Sequence, residues 1–274
     1  MKLHSISPSL VLALTVALAA ICQAGSTQTT PGASNRTAER VPVVLELFTS
    51  EGCSSCPPAD ALLARVAEQQ PVAGADVIAL EEHVDYWDRQ EWVDPFSSAQ
   101  WTQRQRDYSL RLSDHGVYTP ELVVNGRFGF VGSRAAETYR AITGAAGQAH
   151  TDILVSILKS DKNNHQERVR VEAGKLLGDQ QDDTAEMWLA ITETGLHSAV
   201  NGGENAGQDL HHAPVMRWLH KAGTATPNAA PSFIGESDLK VDSAWKRANL
   251  RIVAFVQEKH SLHILGAAAV RLEP

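Results

Sequence analysis

The chain has 274 residues, a formal net charge of -8 at pH 7 and an isoelectric point near 5.7. Hydrophobic residues make up 43 % of it and charged residues 20 %, which supports a packed core and excludes a largely disordered chain. Lysine and arginine are scattered rather than gathered into a basic stripe, so nucleic acid is not an expected partner.

Residues 1–24 have the pattern of a signal peptide. Lys2 and His4 precede an apolar run over residues 10–20, and small residues follow it. The run is shorter than the roughly 20 apolar residues of a spanning helix. We therefore expect removal of this segment, no stable membrane span afterwards, and a periplasmic or secreted location. Residues 25–40 are rich in Ser, Thr, Gln and Pro, which predicts a flexible leader.

The next segment, residues 41–149, alternates strand and helix patterns. An apolar run predicts a buried strand over 43–48, and Pro57 and Pro58 suit the first turn of a helix that ends near Pro71. Residues 77–80 predict a second buried strand. A strand, a helix and a strand in this order require a parallel pair with a crossover, so the fold class is α/β.

Three further elements follow in this segment. Residues 97–100 have the form of a capping box in which Ser97 begins a helix. Asn125-Gly126 between two apolar runs predicts a hairpin, because this pair accepts the positive φ angles of a tight turn. Ser133 is then predicted to cap a third helix.

Residues 150–274 change to short strand-like runs, which predict a mostly β C-terminal subdomain. These runs cover residues 153–158, 169–173, 187–192, 215–219, 250–256 and 264–270. We predict that His211, His212 and His220 in this part are surface histidines, because no cysteine or carboxylate pattern nearby completes a metal site.

The chain has three cysteines, and Cys22 falls within the predicted signal peptide, so the mature chain keeps Cys53 and Cys56. With no further cysteine, this pair bonds internally or exchanges with another protein. The pair stands where a strand ends and a helix begins, and unpaired N–H groups at a helix start stabilise a thiolate. We expect Cys53 to attack a substrate disulfide and Cys56 to resolve the mixed disulfide.

Other interpretations of the CxxC remain open. It is also half of a zinc site, but the chain has no second CxxC or close Cys-His pair, so no metal site and no cofactor are predicted. A copper carrier or assembly factor is an alternative, in which the soft thiolates of Cys53 and Cys56 act with His83. An interaction protein with a merely structural disulfide is another.

Thr119-Pro120 stands immediately before a predicted strand, where proline cannot donate to a central ladder. It is a candidate for a cis peptide bond that brings the Thr119 backbone beside Cys53, and an ordinary trans turn is the alternative.

The strand, the CSSC helix and the TPELVVNG hairpin resemble the thioredoxin superfamily over residues 41–147. More narrowly, residues 47–60, 83–88, 94–97 and 118–120 resemble the exported bacterial family called domain of unknown function 1223. This resemblance implies a thioredoxin-like domain over 41–149, followed by the β-rich part, and it supplies no substrate. The chain departs from thioredoxins in having Ser54-Ser55 between the cysteines.

Glu46, on the strand before Cys53, resembles in placement the buried carboxylate of thioredoxins. It is a candidate base for Cys56, and a strand glutamate that reaches solvent is the alternative. Four residues at the end of the second strand are candidates to line a substrate groove, although packing against the next helix is an alternative. They are His83, Asp85, Tyr86 and Trp87.

Together these patterns predict an exported thiol–disulfide oxidoreductase. Its substrates would be exported proteins or small molecules that carry thiols or disulfides, and a redox partner would recycle the cysteine pair.

Overall fold

The computed structural model describes residues 40–88, 91–112, 116–177 and 184–273. The predicted signal peptide and all but the last residue of the predicted leader lie outside this part of the chain.

The described chain contains three helices and thirteen strands. The helices are α1 Pro57–Gln69, α2 Ala99–Leu112 and α3 Ala135–Ala146. The first seven strands are β1 Val41–Thr49, β2 Ala75–His83, β3 Glu121–Val124, β4 Phe128–Val131, β5 Ile153–Asp161, β6 Gln166–Ala173 and β7 Ala185–Glu193. The others are β8 His197–Ala199, β9 Asp209–His211, β10 Val215–Thr224, β11 Phe233–Lys240, β12 Leu250–Glu258 and β13 Ile264–Arg271. Short 3₁₀ turns cover Asp85–Trp87 and Arg247–Asn249.

β1 and β2 form the parallel pair that the sequence predicts, with α1 as the crossover between them. Both strands are buried on both faces, and successive side chains point to opposite faces of the sheet. On one face Leu45 and Leu47 of β1 share a core with α1, and on the other Val44 and Phe48 face α2 and β12. Below, these are called the α1 face and the α2 face.

The main sheet has eight strands in the order β13-β12-β7-β10-β2-β1-β3-β4 and mixes parallel with antiparallel pairs. The mixed α/β class predicted from the sequence is confirmed. Four strands from residues 150–274 extend the sheet that contains β1 to β4, and β11, β6 and β5 form a separate three-stranded sheet. The C-terminal part is rich in strands, as expected. Its strands β7, β10, β12 and β13 nevertheless belong to the same sheet as β1 to β4, so one sheet includes strands from both sides of residue 150.

The hairpin between β3 and β4 turns at Asn125-Gly126, as predicted, with positive φ angles of 46° and 65°. A Cβ on Gly126 would lie 1.9 Å from the Leu262 carbonyl oxygen, so only glycine fits there. The Asn125 side chain accepts a hydrogen bond of 2.7 Å from the backbone N–H of Val44, which ties the hairpin to β1.

Two predicted helix caps are wrong. At α2, Ser98 rather than Ser97 accepts the backbone N–H of Gln100, while the Ser97 hydroxyl donates to Asp88. At α3, Arg134 occupies the position before the helix, with no side-chain cap, and Ser133 stands one residue earlier. In both cases the helix begins one residue later than the pattern indicates.

Candidate functional site

Cys53 and Cys56 form a disulfide at the start of α1, with their Cα atoms 5.4 Å apart. Cys56 is the residue just before α1, and its N–H donates to the Cys53 carbonyl in a tight turn. The first turn offers few free donors, because Pro57 and Pro58 have no N–H and the Asp60 N–H bonds to the Cys56 carbonyl. The expected stabilisation of a Cys53 thiolate by free N–H groups of this helix is therefore weak.

The disulfide is covered. Cys53 is 1 % exposed and Cys56 is 0 % exposed, whereas Ser54 and Ser55 between them are exposed. The Ser55 hydroxyl lies 3.3 Å from the Cys53 sulfur and is placed to donate to a thiolate. The exposed part of the CSSC turn is thus its pair of serines.

The loop at residues 200–208 between β8 and β9, here called the clasp loop, holds the CSSC turn in place. The Asn205 side chain donates to the carbonyl oxygens of Glu51 and Cys53, at 2.8 and 3.0 Å. Glu204 accepts the backbone N–H of Ser54 at 3.1 Å. Asn205 is 1 % exposed, so its two hydrogen bonds are protected from water.

Trp87 links the CSSC turn to Thr119-Pro120. Its indole N–H donates to the Thr119 hydroxyl at 2.7 Å. A Cβ on Gly52 would lie 3.2 Å from the Trp87 carbonyl oxygen, so Trp87 also packs against the residue before Cys53. The Thr119-Pro120 peptide bond is cis, as the sequence predicts. Trp87 therefore contacts both Gly52, the residue before Cys53, and Thr119, which precedes the cis-proline.

Asp85 lies outside these contacts because its side chain bonds to α2, whereas Tyr86 bonds to α2 and also interacts with the Thr119 side chain. The Thr102 hydroxyl donates to Asp85 at 2.5 Å, and the Tyr86 hydroxyl donates to Gln105 at 3.1 Å. Burial is the largest cause that raises the pKa of Tyr86 to about 12. Their positions fit the alternative of packing against the α2 helix.

Glu46 also lies away from the cysteines. Leu45 and Leu47 on either side of it contact the core beneath α1, so the alternation along β1 turns Glu46 to the α2 face. There its carboxylate accepts hydrogen bonds of 2.5 Å from Arg104 and from the Tyr108 hydroxyl. The assignment of Glu46 as base for Cys56 needs the opposite face and is corrected on this ground.

Glu46 belongs to a buried group on the α2 face, here called the arginine cluster. Its members are Glu46, Glu82, Arg104, Tyr108 and Gln257. Burial and the charge of Glu46 raise the pKa of Glu82 well above its usual range, against the opposing charge of Arg104. Burial thus favours the neutral form of Glu82, while Arg104 pairs with the Glu46 carboxylate.

His83 belongs to a second buried group, on the α1 face, here called the histidine cluster. Its members are Glu51, Glu81, His83, Asp94 and His212. The His83 Nδ1 lies 2.7 Å from the Asp94 carboxylate, and the His212 Nε2 lies 3.0 Å from the Glu51 carboxylate. Glu81 lies between the two rings, with its Oε1 3.4 Å from His83 Nε2 and 3.3 Å from His212 Nδ1.

The prediction that His212 is a surface histidine is wrong, since its side chain is 1 % exposed. The alternation of a strand is the signal in the sequence that indicates burial, because His212 falls on the same side as Leu210. In the structure Leu210 and His212 are buried, and Asp209 and His211 are exposed. His211, with a side chain 76 % exposed, and His220 agree with the prediction.

The carboxylates of the histidine cluster control the charge of its imidazoles. Burial alone would lower the pKa of His83, but the charge and hydrogen bond of Asp94 and the nearby Glu81 carboxylate outweigh it and raise the pKa well above its usual value. Burial also lowers the pKa of His212. Its hydrogen bonds to Glu51 and Glu81 outweigh that effect and raise the pKa to about 9.

Asp60 is a buried acid in the first turn of α1, close in sequence to Cys56, and it was not among the residues predicted from the sequence. It stands one helical turn after Cys56, is 5 % exposed, and accepts a hydrogen bond of 2.6 Å from Thr49. Burial and then the charge of Glu81 raise the pKa of Asp60 to about 8, in spite of that hydrogen bond. Asp60 can therefore hold a proton near neutral pH.

Comparison with known families identifies the family to which the chain belongs. The profile of the proteins of unknown function DUF1223 matches residues 44–257, which span both cysteines and both buried clusters. The chain belongs to the DUF1223 family. Among curated proteins, none matches the chain significantly.

Two solved structures resemble this member of the DUF1223 family over most of its length. One is the crystal structure of an Agrobacterium tumefaciens protein that is 26 % identical in sequence, with a TM-score of 0.62. The alignment covers 86 % of this chain and 99 % of that protein's chain. HBP35 of Porphyromonas gingivalis is 17 % identical, with a TM-score of 0.64, and covers 85 % of this chain and 76 % of its own. At that identity the second likeness concerns the fold alone.

Within the described part of this chain, every helix is too short or too polar to cross a membrane.

Proposed function

We propose that this member of the DUF1223 family is an exported thiol–disulfide exchange protein that works through Cys53 and Cys56 in a thioredoxin-like segment over 41–149. The observation that carries the proposal is the disulfide itself. It joins two cysteines across an exposed Ser54-Ser55 turn, at the start of a helix that follows a central strand. Two cysteines separated by two residues can attack and resolve a substrate disulfide within one turn of chain, which favours exchange chemistry over scaffolding.

The exchange proceeds in two balanced steps. In the reduced protein the Cys53 thiolate attacks one sulfur of a substrate disulfide, and the other substrate sulfur leaves as a thiolate. The Cys56 thiolate then attacks the Cys53 sulfur, forms the Cys53–Cys56 bond and releases the second substrate thiolate. Two electrons pass to the substrate, and its two thiolates take up the protons that the cysteines lost. The reverse sequence oxidises a substrate dithiol.

Asp60 supports the second step as a proton acceptor for the Cys56 thiol. Its raised pKa of about 8 is close to the ordinary pKa of a thiol, about 8.5, so a proton moves between them at little cost. Because Asp60 stands on the turn of α1 that follows Cys56, it takes the role that the sequence analysis gave to Glu46.

Access to the sulfurs requires the clasp loop to move. Cys53 and Cys56 are both buried, and the Asn205 side chain holds the backbone on both sides of Gly52. Hydrogen bonds of this kind contribute about 1 kcal/mol each, so the clasp loop opens at a modest free-energy cost. Exchange therefore depends on local opening, which a partner protein can promote by binding the exposed serines.

A trapping experiment tests the proposal. Cys56→Ser leaves Cys53 without its resolving thiol, so we expect this variant to accumulate mixed disulfides with exported proteins that carry thiols or disulfides. Cys53→Ser is the matched control, because it removes the attacking sulfur and keeps the other. Adducts visible on non-reducing gels should be several-fold more abundant for Cys56→Ser. Equal, empty profiles for both variants would show that the protein does not exchange disulfides.

A structural disulfide in an interaction protein is the second candidate, and the burial of both cysteines favours it. In that case reduction would lower the melting temperature strongly and no exchange would be measured. Copper binding by the reduced cysteines with His83 stays a prediction. The side chain of His83 bonds to Asp94 in the histidine cluster, which supports a role in that cluster rather than with the cysteines.

A further inference from the structure

We propose that Glu81, His83 and His212 form a binding site for one divalent transition-metal ion of the zinc type. The site goes beyond thiol exchange, since none of its ligands is a cysteine. One ligand atom from each of these three buried residues lies within 4.8 Å of the other two. Two imidazoles and a glutamate are a donor set that binds zinc in proteins and leaves one position open.

The spacing of the ligand atoms fits a tetrahedral ion. Ligands bound at about 2.0–2.1 Å in a tetrahedron are about 3.3–3.4 Å from each other. Glu81 Oε1 lies 3.4 Å from His83 Nε2 and 3.3 Å from His212 Nδ1, so two of the three edges already have this length. The third edge, between the two imidazole nitrogens, is at most 4.8 Å long and must shorten to about 3.4 Å when an ion binds.

Each imidazole is held on its far side by a second carboxylate. Asp94 binds Nδ1 of His83 at 2.7 Å, and Glu51 binds Nε2 of His212 at 3.0 Å. This arrangement fixes the ring nitrogen that faces Glu81 as the ligand, and it is the usual support of metal-bound histidines. Glu51 is itself oriented by the indole N–H of Trp92 at 2.8 Å.

Unpartnered polar atoms at the centre of the group point independently to a ligand. Within the described residues, His83 Nε2 and Glu81 Oε2 are buried and have no hydrogen-bond partner. Side chains of both residues are at most 1 % exposed, and buried polar atoms without partners are rare because they cost free energy. A metal ion between the two imidazoles and Glu81 would satisfy these atoms.

The surroundings suit a bound ion with limited access to solvent. The ring of Phe96 stands edge-on to both His83 and His212, at 5.4 and 5.1 Å between ring centroids, and shields the site. His212 also lines a pocket of about 580 Å³ at the surface, together with Thr192 and Arg251.

The test uses the full mature chain with its disulfide intact, so that Cys53 and Cys56 cannot bind metal. After treatment with a chelator, the protein is dialysed against Zn²⁺, and zinc is measured by mass spectrometry. We expect one ion per chain, and the same in Cys53→Ser/Cys56→Ser. His83→Gln and His212→Gln should each weaken binding by at least about tenfold. The matched control is His211→Gln, because His211 is exposed next to His212.

Co²⁺ in the unaltered chain gives a readout that does not depend on a variant folding. We expect visible d–d absorption of a low-symmetry site without the charge-transfer band of a cobalt–thiolate bond. The proposal is wrong if the oxidised chain binds no zinc or cobalt. It is also wrong if His83→Gln and His212→Gln, shown to be folded by circular dichroism, bind zinc as the parent chain does. Either result would leave the histidine cluster as an ion-pair group without a metal.

Discussion

The arginine cluster and the histidine cluster lie on opposite faces of the sheet at β2, and they differ in the cation that balances their carboxylates. Glu81 and Glu82 are neighbours in β2, and the alternation of the strand sends one to each face. On the α2 face the cation is Arg104, which stays charged at all ordinary pH values. On the α1 face the cations are imidazoles, which exchange protons and bind metals.

This difference separates a structural group from a functional one. The arginine cluster joins β1, α2 and β12 through Glu46, Arg104 and Gln257, and a fixed charge is sufficient for that task. The histidine cluster shares its face of the sheet with α1, where Asp60 and the cysteines lie. Its carboxylates raise the pKa of both imidazoles, so the cations of this cluster are groups that can release a proton, unlike Arg104.

The largest expected effect is loss of stability when the arginine cluster is broken. Arg104→Met leaves the buried Glu46 without its cation, and removing one partner of a buried ion pair costs about 3–5 kcal/mol. We expect the free energy of unfolding in urea to fall by this amount, with the exchange activity of the folded protein unchanged. Arg106→Met is the matched control, because Arg106 is exposed on the same helix.

A double variant sharpens the same prediction. Adding Glu46→Gln to Arg104→Met removes the uncompensated charge and should recover a large part of the lost stability. If Arg104→Met is no less stable than Arg106→Met, the arginine cluster is not the structural group described here.

A smaller effect is expected on the α1 face, and it depends on pH. The pKa of Asp60 is raised from 3.8 to about 8, so the folded state binds this proton more tightly than the unfolded state. The resulting stability is complete below about pH 4 and is lost as the pH rises through about 8. Asp60→Asn lacks this loss, so its stability relative to the parent chain should rise by about 4 kcal/mol between pH 5 and pH 9.

The measurement is urea unfolding of both proteins at several pH values, with the disulfide intact. The exchange rate of Asp60→Asn should also lose the pH dependence that Asp60 contributes. A constant stability difference between the two proteins across this pH range would contradict the raised pKa.

The smallest effect concerns the clasp loop. Asn205→Ala removes the two hydrogen bonds to Glu51 and Cys53, each worth about 1 kcal/mol, so reduction of the disulfide by a small thiol should be several-fold faster. Asn201→Ala is the matched control, because Asn201 is exposed in the same loop. If both variants are reduced at the parent rate, the clasp loop does not limit access to the disulfide.

Local patterns in the sequence were sufficient for the elements that carry the cysteines. The apolar run before Cys53 predicted β1, the prolines predicted the start of α1, and Asn125-Gly126 predicted the hairpin turn. Each of these signals is local, since it depends on a few neighbouring residues and the backbone angles that they favour.

The two buried clusters and the contacts of the clasp loop could not be predicted in this way, because they depend on contacts between distant parts of the chain. Glu81 meets His212 across 131 positions, and Asn205 meets Cys53 across 152. The alternation along β1 shows in the sequence that Glu46 lies on the face opposite to Leu45 and Leu47. Only the packed structure shows that α1 covers the face of the two leucines.

A redox titration of Cys53 and Cys56 in the native protein tests the central claim most directly. The protein is equilibrated with glutathione buffers of known potential, and its free thiols are alkylated and counted by mass spectrometry. We predict a reversible two-electron transition in which both cysteines react together while circular dichroism shows a folded chain. A disulfide that resists reduction until the chain unfolds would contradict exchange and identify it as a structural bond.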